Sequence, residues 1–119
     1  MKISNRQLEE ATILDVEGKI DLQTSPAFRR ALMETLNRVP PVIVNLLKVS
    51  YVDSSGIASM VECFQASKKL QKRILYFGLN PMVRNVLELT HLTRVFEIHE
   101  TEEQSLQAAS SKSGEANSA

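Results

Sequence analysis

The chain has 119 residues, 14 Lys+Arg against 14 Asp+Glu, and an apolar share of 43%, which fits one domain with one core and excludes disorder over most of the length. Zero net charge argues against wholesale binding to nucleic acid or an anionic membrane, and a single cysteine, Cys63, excludes an internal disulfide or a multi-cysteine metal cluster. The N-terminus lacks an apolar signal region and no apolar run approaches the ~20 residues that span a bilayer, so a cytoplasmic protein without direct membrane insertion is expected.

Two strands come first, with a turn around Glu9 and Glu10. In residues 11–18 Ile13, Asp15 and Glu17 alternate with Thr12, Leu14 and Val16, and Gly18 is read as the break. Ser25 or Thr24 caps a first helix, with Pro26 in its first turn. Phe28, Leu32 and Leu36 recur on its inner face, widened by Ala31 and Val39, until Pro40 and Pro41 end it. Residues 42–47 (VIVNLL) lack alternation, as a strand buried on both faces does. A loop with Val49, Tyr51 and Val52 leads to DSSG at 53–56 and a second helix to Leu70. There Ile57, Met60, Val61 and Phe64 form the inward stripe. Residues 73–79 read as another buried strand, and Asn80 with Pro81 opens a third helix with Val83, Val86 and Leu87 inward. Residues 94–99 read as a last strand, and Thr101 with Gln104 as the capping box of a short final helix. The small, polar stretch 110–119 is expected to be a disordered tail after a domain at 1–109. Strand and helix alternate after the opening hairpin, so the fold class is α/β with a mixed sheet.

DSSG follows a buried strand and heads a helix, the carboxyl edge where open α/β sheets place their sites. Asp and Ser are also the favoured helix caps, so the same four residues read equally as a plain cap. The helix behind them has one charge between Ser54 and Ser67, Glu62. At about 100° per residue the face opposite the apolar stripe is Ser59, Glu62, Cys63 and Ala66. Small, nearly uncharged side chains suit a partner's surface. The other reading is a helix covered on both sides by its own domain.

Other chemistry finds little support. VDSSGI lacks the first glycine of a serine-hydrolase elbow, and neither His91 nor His99 has an evident relation to Ser54 or Ser55. Two histidines and one cysteine do not space as a metal site, and no glycine-rich phosphate loop is present. A receiver-type phosphoacceptor role for Asp53 lacks the acidic partners that would hold Mg²⁺. Lys68, Lys69, Lys72 and Arg73 cluster at a helix C-terminus, where the dipole favours cations. No catalytic residue, cofactor or metal is expected.

Residues 10–108 resemble the STAS domain of bacterial anti-sigma-factor antagonists. The resemblance lies in GKID at 18–21 leading into a Thr-containing helix start, in the strand followed by DSSG, and in a later strand ending at Gly78. It implies a mixed sheet of about five strands and about four helices, the helices largely to one side. It also implies that Ser55 is phosphorylated by a serine kinase that is itself the anti-sigma factor, of the histidine-kinase-like ATPase type, and that a PP2C-type phosphatase reverses the reaction. Asp21, Asp53, Ser54, Gly56, Ile57, Ser59, Glu62 and Cys63 are then expected at the partner contact, with Ser54 capping the helix or serving as a minor acceptor. The free protein is expected to be a monomer. Asn45 stands where the family often has Asp, a change expected to touch the network around Asp53. An alternative output is a STAS subunit of a lipid-exporting ABC transporter that binds the ATPase with no kinase.

Overall fold

The computed structural model describes residues 1–38 and 40–111. Of the tail expected at 110–119, Ser110 ends the last helix instead and Ser111 caps it, while residues 112–119, and Val39, lie outside the described residues. Five strands form one sheet in the order β1-β2-β3-β4-β5: β1 Lys2–Gln7, β2 Thr12–Ile20, β3 Val42–Val52, β4 Ile74–Phe77 and β5 Glu97–His99. β1 pairs antiparallel with β2, and every later pair is parallel. Parallel neighbours require crossovers, supplied by α1 Ser25–Thr35, α2 Ser54–Leu70 and α3 Pro81–Leu89, while α4 Glu102–Ser110 follows β5. The mixed α/β sheet with four helices is the architecture the alternation implied.

The core divides by sheet face. On one side Leu14, Val16, Val44 and Leu46 pack with Phe28 and Leu32 of α1, Met60 and Cys63 of α2, and Val83 and Leu87 of α3. On the other, Ile13, Ile43, Leu75 and Phe77 lie under Leu106, Ala108 and Ala109 of α4. Three helices on one face and one on the other explain why β3 and β4 read as continuous apolar runs.

Several boundaries differ from the sequence reading: α1 ends at Thr35, short of Pro40, and β4 takes up only Ile74–Phe77 of the expected 73–79. Gly18 does not end β2: it adopts φ +109°, and a register shift between Gly18 and Lys19 absorbs it as a bulge. β3 does not stop at Leu47. Val49, Tyr51 and Val52 pair with Gly18, Lys19 and Ile20, a partner strand that local pattern does not reveal. The last strand shrinks to Glu97–His99, because a 3-10 turn, Leu92–Arg94, takes up the residues before it. Cap positions follow chemistry otherwise: Asn80 accepts from Val83 N at 2.8 Å, and Thr101 accepts from Gln104 N at 3.1 Å.

Candidate functional site at the carboxyl edge of the sheet

β2 and β3 end side by side, Ile20 opposite Val52, and Asp53 N donates to Ile20 O at 3.1 Å to add one more rung. Two loops are thereby fixed against each other, 19–24 and 53–56. Asp53 is the N-cap of α2: its Oδ1 accepts from Ser55 N at 2.9 Å and Gly56 N at 3.1 Å. Ser54, expected as the cap, is instead the first helical residue and is exposed. A carboxylate reaches the second and third helical N–H groups and complements the positive end of the dipole, so it displaces the hydroxyl from this role.

Gly56 sets how closely α2 approaches the sheet. A Cβ there would lie 2.7 Å from Val52 Cγ1, 2.8 Å from Ile20 O and 2.9 Å from Ile20 Cγ2. Only glycine lets the first turn rest on the strand ends. Ser55 is held just above that contact, half-buried, and its Oγ makes no hydrogen bond among the described residues.

The neighbouring loop is organised by Asp21. Its Oδ1 accepts from Gln23 N at 3.0 Å and Thr24 N at 3.1 Å. Thr24 Oγ1 lies 2.6 Å from Lys19 O and 3.1 Å from the same Oδ1, and accepts from Asp21 N. This use of the Thr24 hydroxyl explains why Thr24, the N-cap of α1, makes no side-chain cap bond there. Thr24 N–H, first, and then its hydroxyl hold the Asp21 carboxyl below its ordinary range, so it remains an anion. Lys19, Asp21, Ser50, Tyr51 and Met82 line a shallow, open depression beside this loop.

The faces of α2 are rotated from the expected ones. Ser59 and Cys63, expected outward, are 5% and 0% exposed and turn onto α1. Ser59 Oγ reaches Ser25 O at 3.5 Å and Cys63 Sγ reaches Arg29 O at 3.9 Å. Their small size admits close approach of α1, a fact about the helix's own neighbour that reads from the sequence as a partner face. Burial pushes the Cys63 thiol up to about 12. Ile57, Val61 and Phe64 are only half-buried, with the Phe64 ring 5.7 Å from that of Phe96. The strip left exposed is Ser54, Ala58, Glu62 and Gln65. Glu62 makes a loose pair with Arg29 at 3.7 Å. Asp21, Asp53, Ser54, Ser55 and Gly56 thus come together, Ile57 flanks them, Glu62 lies along the helix, and Ser59 and Cys63 face inward.

Asn45 does not join this cluster. Its Nδ2 donates to Asp15 Oδ1 at 2.8 Å and its Oδ1 accepts from Leu47 N at 3.0 Å, on the face covered by α4. The basic run at the end of α2 is partly consumed in packing: Lys68 lies over the Phe64 ring, Lys72 donates to Leu36 O, and Arg73 pairs with Glu97 at 2.6 Å. Among the described residues no group of three His, Cys, Asp or Glu could hold a metal ion, and no helix is long and apolar enough to cross a membrane.

Compared with known proteins, residues 2–105 match the STAS domain family. The chain belongs to the STAS domain family. The Listeria monocytogenes "Anti-sigma-B factor antagonist" is 30% identical over 103 residues, covering 86% of this chain and 90% of that protein. A crystal structure of an anti-sigma factor antagonist from Mycobacterium paratuberculosis superposes with TM-score 0.84 at 21% identity, covering 92% of this chain and 94% of that one. The Bacillus cell fate determinant SpoIIAA in its phosphorylated form superposes with TM-score 0.68 at 18% identity, covering 89% and 97%. In this STAS domain the DSSG segment sits at the carboxyl edge, and neither the exposed Ser54 hydroxyl nor the half-buried Ser55 hydroxyl makes a hydrogen bond among the described residues.

Proposed function

We propose that this STAS protein is an anti-sigma-factor antagonist in a cytoplasmic partner-switching pathway. The unphosphorylated form binds and sequesters a serine kinase/anti-sigma factor of the histidine-kinase-like ATPase type, and phosphorylation of Ser55 releases it. A PP2C-type phosphatase restores the binding form. The protein is then a substrate and ligand of enzymes rather than an enzyme. The naming of its Listeria relative as an antagonist supports the role, over nearly the full length of both chains.

The observation that carries the reading is the state of Ser55. Its hydroxyl is accessible at the head of α2 and makes no hydrogen bond among the described residues. Adding a phosphate therefore removes no contact of the fold. It adds about −1.5 to −2 charges next to two anions, Asp21 and Asp53. Asp53 already occupies the N–H groups of Ser55 and Gly56, so the helix end offers the phosphate little shelter. The concentrated charge remains at the surface, where a docked protein would have to desolvate it against the phosphates of its own nucleotide.

The test is to incubate the protein with ATP and a purified histidine-kinase-like ATPase from the same organism, then map the phosphate and measure binding. Phosphate is expected on Ser55, none on Ser55→Ala, and at least about tenfold weaker binding of Ser55→Asp. Phosphate on another residue, or Ser55→Asp binding as tightly as wild type, contradicts the proposal.

A further inference from the structure

The DSSG segment hangs from the far half of β3, and that half has a strand on one side only. Val49, Tyr51 and Val52 pair with β2, whereas the register between β3 and β4 runs from Val42 opposite Ile74 to Asn45 opposite Phe77 and goes no further. At Gly78 the chain leaves β4 with φ +80°. It passes β3 so closely that a Cβ there would lie 2.6 Å from Leu47 Cγ and 3.0 Å from Leu47 N, a path open to glycine. Two residues on, Asn80 returns to β3. Its Nδ2 donates to Val49 O at 3.1 Å and, at a longer 3.4 Å, to Ser50 O. The side chain thus does for this part of β3 what a further rung of β4 would do.

Asn80 has a second task, because its Oδ1 accepts from Val83 N at 2.8 Å as the cap of α3. Asn, Asp and Ser serve about equally well as caps. Of the three, only Asn sets a two-hydrogen donor beside the acceptor. A cap alone does not call for Asn; a cap joined to β3 does. Only Tyr51 and Val52 separate Ser50 from Asp53, whose N–H bonds Ile20 O and whose carboxylate holds Ser55 N and Gly56 N.

We infer that Asn80 is a positioning residue for the phosphorylation of Ser55. By standing in for the missing strand it fixes the end of β3, and with it the direction in which Asp53 and the first turn of α2 present the hydroxyl. Asn80 acts through β3 rather than on the reacting atoms. The inference rests on the function proposed above and adds to it a residue outside the DSSG segment. Misplacing an acceptor by about 1 Å can cost on the order of 10²-fold in rate, so a looser strand end lowers turnover more than recognition.

Two variants separate the tasks. Asn80→Ser keeps a cap and loses the reach to β3, while Asn80→Asp keeps the cap and sets a carboxylate against the two carbonyls. Thr101→Ala, which removes the cap of α4 on the other face of the sheet, controls for a general loss of stability. All are compared well below their melting temperatures. Without kinase, hydrogen exchange followed by NMR is expected to be about tenfold faster at the amides of Asp53, Ser55 and Gly56 in both Asn80 variants than in wild type or Thr101→Ala. With the same ATPase and ATP, kcat for phosphorylation of Ser55 is expected to fall about tenfold in the Asn80 variants, with KM for the protein changed by less than about threefold. Thr101→Ala should leave both constants as in wild type. Asn80 variants with wild-type exchange or wild-type kcat overturn the inference and leave the proposed function standing, as does a fall in kcat that Thr101→Ala matches. A wild-type protein that accepts no phosphate on Ser55 overturns both.

Discussion

Gly56 and Cys63 show how single residues position the site. A methyl on Gly56 would fall well inside contact distance of Val52 and of the Ile20 backbone, so Gly56→Ala must lift the first turn of α2. The expected cost is about 1–3 kcal/mol, read by urea denaturation. The same variant should slow phosphorylation of Ser55 at temperatures where the protein is still folded, since the acceptor rides on that turn. Cys63 makes a separate prediction. Fully buried against α1, with burial pushing its thiol up to about 12, it should resist thiol reagents at pH 8 in the native state and react at once in denaturant. Rapid labelling of the folded protein would show that α1 and α2 part readily.

Two polar devices hold elements in place. At α2, Asp53 is a double acceptor, and Asp53→Ala should cost about 0.5–2 kcal/mol of stability, with Asp53→Asn retaining most of it because the amide oxygen still accepts. At α4, Arg6 joins the sheet to the helix: it binds Asp15 at 2.7 and 2.8 Å and Glu102 at 2.7 Å. Arg6, first, and also the Asn45 amide hold the Asp15 carboxyl below its ordinary value of 3.8. A carboxyl depressed in the folded state stabilises above its unfolded pKa, and that contribution disappears as pH falls through the lower folded value. Asp15→Asn should thus cost about 1 kcal/mol near pH 7 and nothing once the pH is well below 3.8, as followed by urea midpoints at the two pH values. A constant difference at both would contradict the ion pair's role.

At the scale of the whole molecule, parallel pairing decides what could be read in advance. The helix stripe of Phe28 and Leu32 and the caps Asn80 and Thr101 are local signals and appear as expected, and β4 appears as the shorter centre, Ile74–Phe77, of the strand expected at 73–79. The far half of β3 was not legible, because Tyr51 and Val52 join a sheet only through Lys19 and Ile20, which lie some thirty residues earlier. The phase of α2 was misread for a related reason. Its apolar count places Ile57, Val61 and Phe64 inward, whereas the close approach of α1 turns the small Ser59 and Cys63 inward and leaves those three half-buried. Within the site, Asp53 and Ser55 were visible from DSSG, but the reach of Asn80 to the end of β3 depends on where two distant segments converge.

The account depends on a surface hydroxyl whose conversion to a dianion blocks docking and spares the fold. Its most direct measurement is the affinity of the kinase for protein carrying a full complement of phosphate on Ser55, beside the unmodified protein in the same titration. Binding weaker by about a hundredfold, from a phosphoprotein with an unchanged melting temperature, is the predicted result. Equal affinity, or a loss of binding that accompanies unfolding, would contradict it.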